Sequence, residues 1–266
     1  LSRGIFSIML AWPSAFSRAM VLFFVASAVV FTSLPAYSSP PEVFSYPESG
    51  YDPSIPEPGD FLGHKLGTRF TSHRDVVGYL ERLAEISPRC RLYRYGRTYE
   101  GRELVYLVIS SPENVKNVEE LRAANLRLAD PSFKPTRGFY DKAPIFVWLS
   151  FCIHGNEASS TETALALSYH LAADTSGGTS RLLDETVVII DPLLNPDGRE
   201  RYVAFYTSRM GAEPDGNRFA WEHDEPWPSG RFNHYLFDLN RDWSWLTQIE
   251  SKSRVKAYLA WKRRST

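Results

Sequence analysis

His154 and Glu157 stand three positions apart in Phe151-Cys152-Ile153-His154-Gly155-Asn156-Glu157. An imidazole nitrogen and a carboxylate at this spacing can reach one ion across a loop that leads into a helix. Zinc accepts both donor types at ~2.0–2.2 Å. The same pattern also fits a capping carboxylate beside a surface His. A second group is Asn195-Pro196-Asp197-Gly198, which has the residue types of a tight turn. A third is Asp238-Leu239-Asn240-Arg241-Asp242. Asn240 and Arg241 can offer an amide and a guanidinium to one carboxylate, the guanidinium through two parallel hydrogen bonds. The alternative there is a structural ion pair of Arg241 with Asp238 or Asp242.

These residues need elements to hold them. Ile145 to Ser150 is a continuous apolar run, as expected of a strand buried on both faces. His154 and Glu157 follow its carboxyl end, where ligands bind in open α/β sheets. Val187 to Ile190 reads as another buried strand, and the Asn195–Gly198 segment follows it. Arg91–Tyr95 and Leu104–Ile109 read as strands around Tyr99-Glu100-Gly101-Arg102, a hairpin-like turn. Ser72–Ser87, Glu113–Ala129 and Glu157–Asp174 carry helical patterns. The alternation predicts an α/β fold: a mixed, mainly parallel twisted sheet with helices on both faces.

The aromatic content of 14% and a net charge of −1 exclude a disordered chain, which has few aromatics and a strong charge imbalance. The near-zero charge, with no basic stripe, gives no reason to expect nucleic acid as a partner. Cys90 and Cys152 are too few for a disulfide scaffold, and their places beside strands predict free, buried thiols.

In this order, each beside a predicted strand, the three motifs resemble the zinc metallocarboxypeptidase family, the carboxypeptidase A-like peptidases. Gly101-Arg102 after Tyr99-Glu100 is similar to that family's early Glu-Gly-Arg turn. The segment from Glu222-His223 to Trp243 resembles a bacterial branch. The resemblance covers about residues 70 to 260. It implies one Zn²⁺ ion held by His154 and Glu157, and a substrate's terminal carboxylate bound by Asn240 and Arg241. It further implies an Arg that polarises the scissile carbonyl: Arg231 is favoured over Arg218 and Arg209. His223 and His234 are expected to be structural or to support the ligands. The implied activity is removal of C-terminal residues from peptides by metal-activated water. Two other readings compete: an N-acyl amino acid deacylase of related fold, and a non-catalytic remnant that binds peptide C-termini.

Residues 19–34 are uncharged and apolar, follow Arg3 and Arg18, and precede Ala36 and Ser38. This predicts a secretory signal peptide over residues 1–38, hence a secreted or periplasmic protein with no stable membrane association after cleavage. An uncleaved anchor is the alternative. Six prolines between residues 39 and 60 predict an extended lead-in over 39–69. The catalytic domain is expected over 70–261. The family's third zinc ligand, a His on a later strand, and its general base, a Glu much further on, are not found here, so the sequence reads as a truncated, weakly active or inactive form, incomplete at its C-terminal end and with 262–266 foreign to the family.

Overall fold

The computed structural model describes residues 45–48, 50–140, 143–212 and 214–261. The expected signal segment, 1–38, and the tail, 262–266, lie outside them. Four strands form one sheet: β1 (Cys90–Arg97), β2 (Glu103–Ile109), β3 (Ile145–Ser150) and β4 (Thr186–Asp191), in the order β1-β2-β4-β3. β1 and β2 make the expected antiparallel hairpin, with a bulge between Arg94 and Gly96. Gly101 occupies a left-handed conformation in its turn, φ 82°, which glycine adopts without a Cβ penalty. β2 pairs antiparallel with β4, and β3 pairs parallel with β4. The sheet is therefore mixed as expected, but one of its three described pairings is parallel rather than most of them.

β3 also departs from its expected surroundings. It is an edge strand among the described residues, and its side chains are half-buried or exposed. Ile145 remains 66% exposed. An apolar run measures only how much a strand can bury, while its place in the sheet is decided by pairing with distant strands. β4, one of the two interior strands, is buried at every position.

Period-2 alternation divides β2 and β4 between two cores. Val105, Leu107, Ile109, Val188 and Ile190 face α2 (His73–Ile86) and α6 (Ala158–Ala173). Tyr106, Val108, Val187 and Ile189 face Ala257 and Trp261 of α9 (Ile249–Trp261). α2 starts because the Ser72 side chain accepts from the Asp75 N–H. Its apolar positions Val76, Val77, Leu80 and Leu83 then form one buried stripe. The predicted helix over 113–129 is two helices, α3 (Pro112–Lys116) and α4 (Val118–Arg127), divided at Asn117. The lead-in is not wholly extended. Pro58 opens a short helix, α1 (Pro58–Leu62), at a position where its missing N–H costs nothing. The remaining helices are α5 (Arg137–Tyr140), α7 (Gly177–Glu185) and α8 (Pro196–Arg209). No helix among the described residues is long and apolar enough to cross a membrane. Both cysteines are free and buried, as their sequence context predicts.

Asp191 ends β4 fully buried. Burial pushes its pKa up to about 7, against the Tyr95 hydroxyl, which donates to its carboxylate, and the Arg254 charge. The unfolded chain releases this proton near pH 4, whereas the folded chain keeps it until about pH 7. Stability from this group is therefore full at low pH and is lost as pH rises through that window, by at most about 1.4 kcal/mol per pH unit. Urea unfolding across pH 4 to 8 is expected to show this fall in the parent and a shallower one in Asp191→Asn.

Candidate metal centre and carboxylate site

The chain turns sharply where β3 ends. Cys152 adopts φ 53°, a left-handed backbone that a non-glycine residue holds only when its surroundings impose it. The imposing contacts are Asn195 N–H to the Cys152 carbonyl at 3.1 Å and Leu194 N–H to the Phe151 carbonyl at 3.1 Å. They lay the His154 loop against the segment leaving β4.

His154 is 4% exposed, so it is not the surface His of the competing reading. Glu157 stands at the N-cap of α6 but makes no side-chain capping bond. Instead its Oε1 lies 2.6 Å from His154 Nδ1, and His154 Nε2 lies 2.9 Å from Asp238 Oδ1. Asp238 also accepts from Arg231 Nη2 at 2.8 Å and from the Asn240 N–H at 2.9 Å. One carboxylate thus ties together the His, an Arg and the start of the Asn240-Arg241 turn. Burial opposes its charge, but the bonds from His154, Arg231 and Asn240 outweigh that and hold its carboxyl below the usual carboxylate range.

Asn195-Pro196-Asp197-Gly198 is not a free-standing turn. It is the first turn of α8, with Asn195 Oδ1 accepting from the Gly198 N–H at 2.9 Å. Asn and Pro serve tight turns and helix starts alike, so the residue types alone do not separate the two. Asn195 Nδ2 reaches the Arg231 carbonyl at 3.2 Å. Asp197 is buried and accepts from Thr98 Oγ1 and Arg102 Nη1, both at 2.7 Å. The hairpin turn and the α8 start are thereby joined, which gives Arg102 its purpose. Glu225 completes the frame, accepting from Asn156 Nδ2 and the Gly230 N–H.

Asn240 and Arg241 are exposed. Arg241 donates to the Asn240 carbonyl at 3.1 Å and forms no ion pair with Asp238 or Asp242. Asp242 is engaged by Thr247 and by the Gln248 N–H. Of the three candidate arginines, only Arg231 is brought to the His154 cluster. Arg209 donates to the Asp224 carbonyl, and Arg218 lies against Phe219. His223 contacts the Asp215 carbonyl and His234 contacts Glu100; neither joins His154. An apolar cavity of about 500 Å³ beside Leu121, Phe139 and Ile145 lies at the other end of β3.

His154 and Glu157 bring together an imidazole nitrogen and a carboxylate oxygen, two donor types that zinc accepts. Carboxylates occupy both ring nitrogens, and a neutral imidazole has a single N–H. That proton can lie on Nδ1, where it makes a hydrogen bond to Glu157, or on Nε2 toward Asp238; in the second arrangement the Nδ1 lone pair faces the Glu157 carboxylate. Two acceptors 2.6 Å apart repel unless a cation or a second proton stands between them. Nε2 donation to a carboxylate is also how ligating imidazoles are commonly oriented. Among the described residues no group of three His, Cys, Asp or Glu side chains converges on one ion.

The zinc carboxypeptidase family model matches residues 76–258. Human carboxypeptidase Z is 30% identical over 183 residues, covering 66% of this chain and 22% of that protein. Human carboxypeptidase D is 31% identical over 136 residues, covering 50% of this chain and 8% of that protein. The chain thus spans about a fifth, or less, of the length of these relatives. The carboxypeptidase A structure from Helicoverpa armigera aligns over 90% of this chain and 49% of its own, with 15% identity and a TM-score of 0.45. With most of its length matched by the family model, and with the His154, Asn195 and Asn240 motifs inside that match, the chain belongs to the zinc carboxypeptidase family.

Proposed function

We propose that this chain contributes to a zinc-dependent carboxypeptidase site acting on peptide C-termini, with export through a signal segment at residues 1–38. His154 and Glu157 are two of the metal's donors. Catalytic zinc sites use three protein ligands and an open position, so the proposal includes a third donor from outside the described residues. Bound zinc supplies Lewis acidity and an activated water. The chain's own residues do the rest. Asn240 and Arg241 hold the terminal carboxylate. Arg231 offers a guanidinium N–H to the scissile carbonyl, and its other arm stays on Asp238. Asp238 keeps the His154 proton on Nε2, leaving Nδ1 free to ligate.

The observation that carries this reading is the facing pair His154 Nδ1 and Glu157 Oε1. Calorimetric zinc titration of the purified chain tests it. His154→Ala and Glu157→Ala are each expected to weaken binding by more than ~100-fold. Asp238→Asn removes only an orienting partner and is expected to cost ~10–100-fold. Zinc affinity in both alanine variants equal to the parent's would remove the metal assignment.

A further inference from the structure

Trp243 lies beyond the residues assigned so far, yet it touches one of them, Asn240. Its indole Nε1 is 3.1 Å from Asn240 Oδ1. An indole nitrogen can only donate, whereas a side-chain amide accepts at Oδ1 and donates twice at Nδ2. The contact therefore decides which way the Asn240 amide points. Oδ1 is turned to the indole, and both Nδ2 hydrogens are left for something else. In the opposite orientation the amide oxygen would be the free end and would repel an anion.

Trp243 is itself held. The Arg254 guanidinium carbon lies 3.9 Å from the ring centroid. Arg254 is 2% exposed, and its three guanidinium nitrogens have no hydrogen-bond acceptor among the described residues. The indole face is thus a close partner for a desolvated cation, an arrangement stronger than the same contact in water. Arg254 projects from α9, the helix that packs on β1, so the orientation of an exposed amide is anchored to the interior of the fold.

We propose that Trp243 is a positioning residue for carboxylate recognition, locking Asn240 so that it presents donors, not an acceptor, to an incoming carboxylate. The inference rests on the reading of Asn240 and Arg241 as the carboxylate receptor. It goes further by naming what gives that receptor its preference for an acid over an amide.

The test is calorimetry on the full chain in chelator, which keeps the metal centre out of the measurement. The probes are a short peptide with a free C-terminal carboxylate and the same peptide amidated. The parent is expected to favour the acid. Trp243→Phe keeps a ring over Arg254 and loses only the N–H. It is expected to weaken acid binding about tenfold, with amide binding unchanged. Asn240→Ala is expected to lose a similar factor, and the double variant no more than either single one. A Trp243→Phe chain that keeps the full acid preference while Asn240→Ala loses it overturns the proposal and spares the receptor. No acid preference in the parent overturns both. A second readout needs no Trp243 variant. The Trp243 indole N–H, followed by NMR, is expected to exchange with water faster in Asn240→Ala than in the parent. Equal rates overturn the proposal.

Discussion

Glu162→Gln is expected to destabilise the folded chain by about 3–5 kcal/mol, the usual cost of breaking a buried ion pair from one side. Glu162 and Arg199 are both essentially inaccessible, and Arg199 Nη2 lies 2.6 Å from Glu162 Oε1. Every other polar atom in the pair is also engaged. Thr71 donates its N–H and its hydroxyl to the two Glu162 oxygens, at 2.7 and 2.6 Å. Arg199 donates to the carbonyls of Thr71 and Ala158. Gln fills the same volume but leaves the Arg199 charge without a counter-charge and places an amide donor where an acceptor is required. At about 2–4 °C per kcal/mol for a domain of this size, the melting temperature is expected to fall roughly 6–20 °C. The consequence for the site is specific. Glu162 lies on α6, which continues from the His154 loop, and Arg199 follows the Asn195–Gly198 segment at the start of α8. Loosening their contact separates the two motif-bearing loops, so zinc affinity should fall with stability. A melting temperature within 2 °C of the parent's would show that the pair contributes little.

That ion pair was not legible in the sequence, and the reason is physical. Its members are 37 positions apart, and spacing carries no information about contacts between helices. A faint signal did exist: Glu162 falls on one helical face with Leu165, Ala166 and Tyr169, at three, four and seven positions. A carboxylate on a buried face needs a partner. What was legible followed from short-range chemistry. Ser72 and the Val76–Leu83 stripe predict α2, and Gly101 predicts the hairpin turn. The apolar runs at Ile145 and Val187 predict β3 and β4. α7 escaped because Gly177-Gly178 reads as loop composition, although Ser176 caps it by accepting from the Thr179 N–H. The edge position of β3 and the antiparallel β2–β4 pairing are matters of topology, which hydropathy does not encode.

The same division runs through the site. His154, Glu157, Asn240 and Arg241 could be named because each pair lies within four residues. The connections among them could not. Asp238 joins His154 across 84 positions and Arg231 across seven. From the sequence alone it was only a possible ion-pair partner for Arg241, a role the structure gives to Asp238 with Arg231 instead. The motifs thus name the side chains that could do chemistry, and the intervening glycines and carboxylates determine whether those side chains meet.

The glycines lead to the other large expected effect: Gly155→Ala should destabilise the chain by about 3 kcal/mol and weaken zinc capture with it. A Cβ at Gly155 would stand 2.1 Å from both Arg199 N and Gly198 C. One at Gly198 would stand 2.3 Å from the Gly230 carbonyl oxygen, and one at Gly230 would stand 2.6 Å from the Gly198 oxygen. Three loops, each with a glycine at the contact, are therefore packed backbone to backbone. They carry His154 and Glu157, the α8 start, and Arg231. Overpacking commonly costs about 1–3 kcal/mol, with flexible side chains absorbing part of it. Here the obstacles are main-chain atoms, so the upper end applies and the loops themselves must part. The expected loss in melting temperature is roughly 6–12 °C. Gly177→Ala is the matched control, because nothing lies within 4 Å of its added Cβ. It is expected to leave stability within about 0.5 kcal/mol of the parent or to raise it, since alanine restricts the unfolded chain more than glycine does. If both variants melt with the parent, the three-glycine contact does not hold the His154 loop. If Gly155→Ala alone falls and its zinc affinity falls too, the close approach of these backbones is what brings Arg231 and the His154 loop to one place.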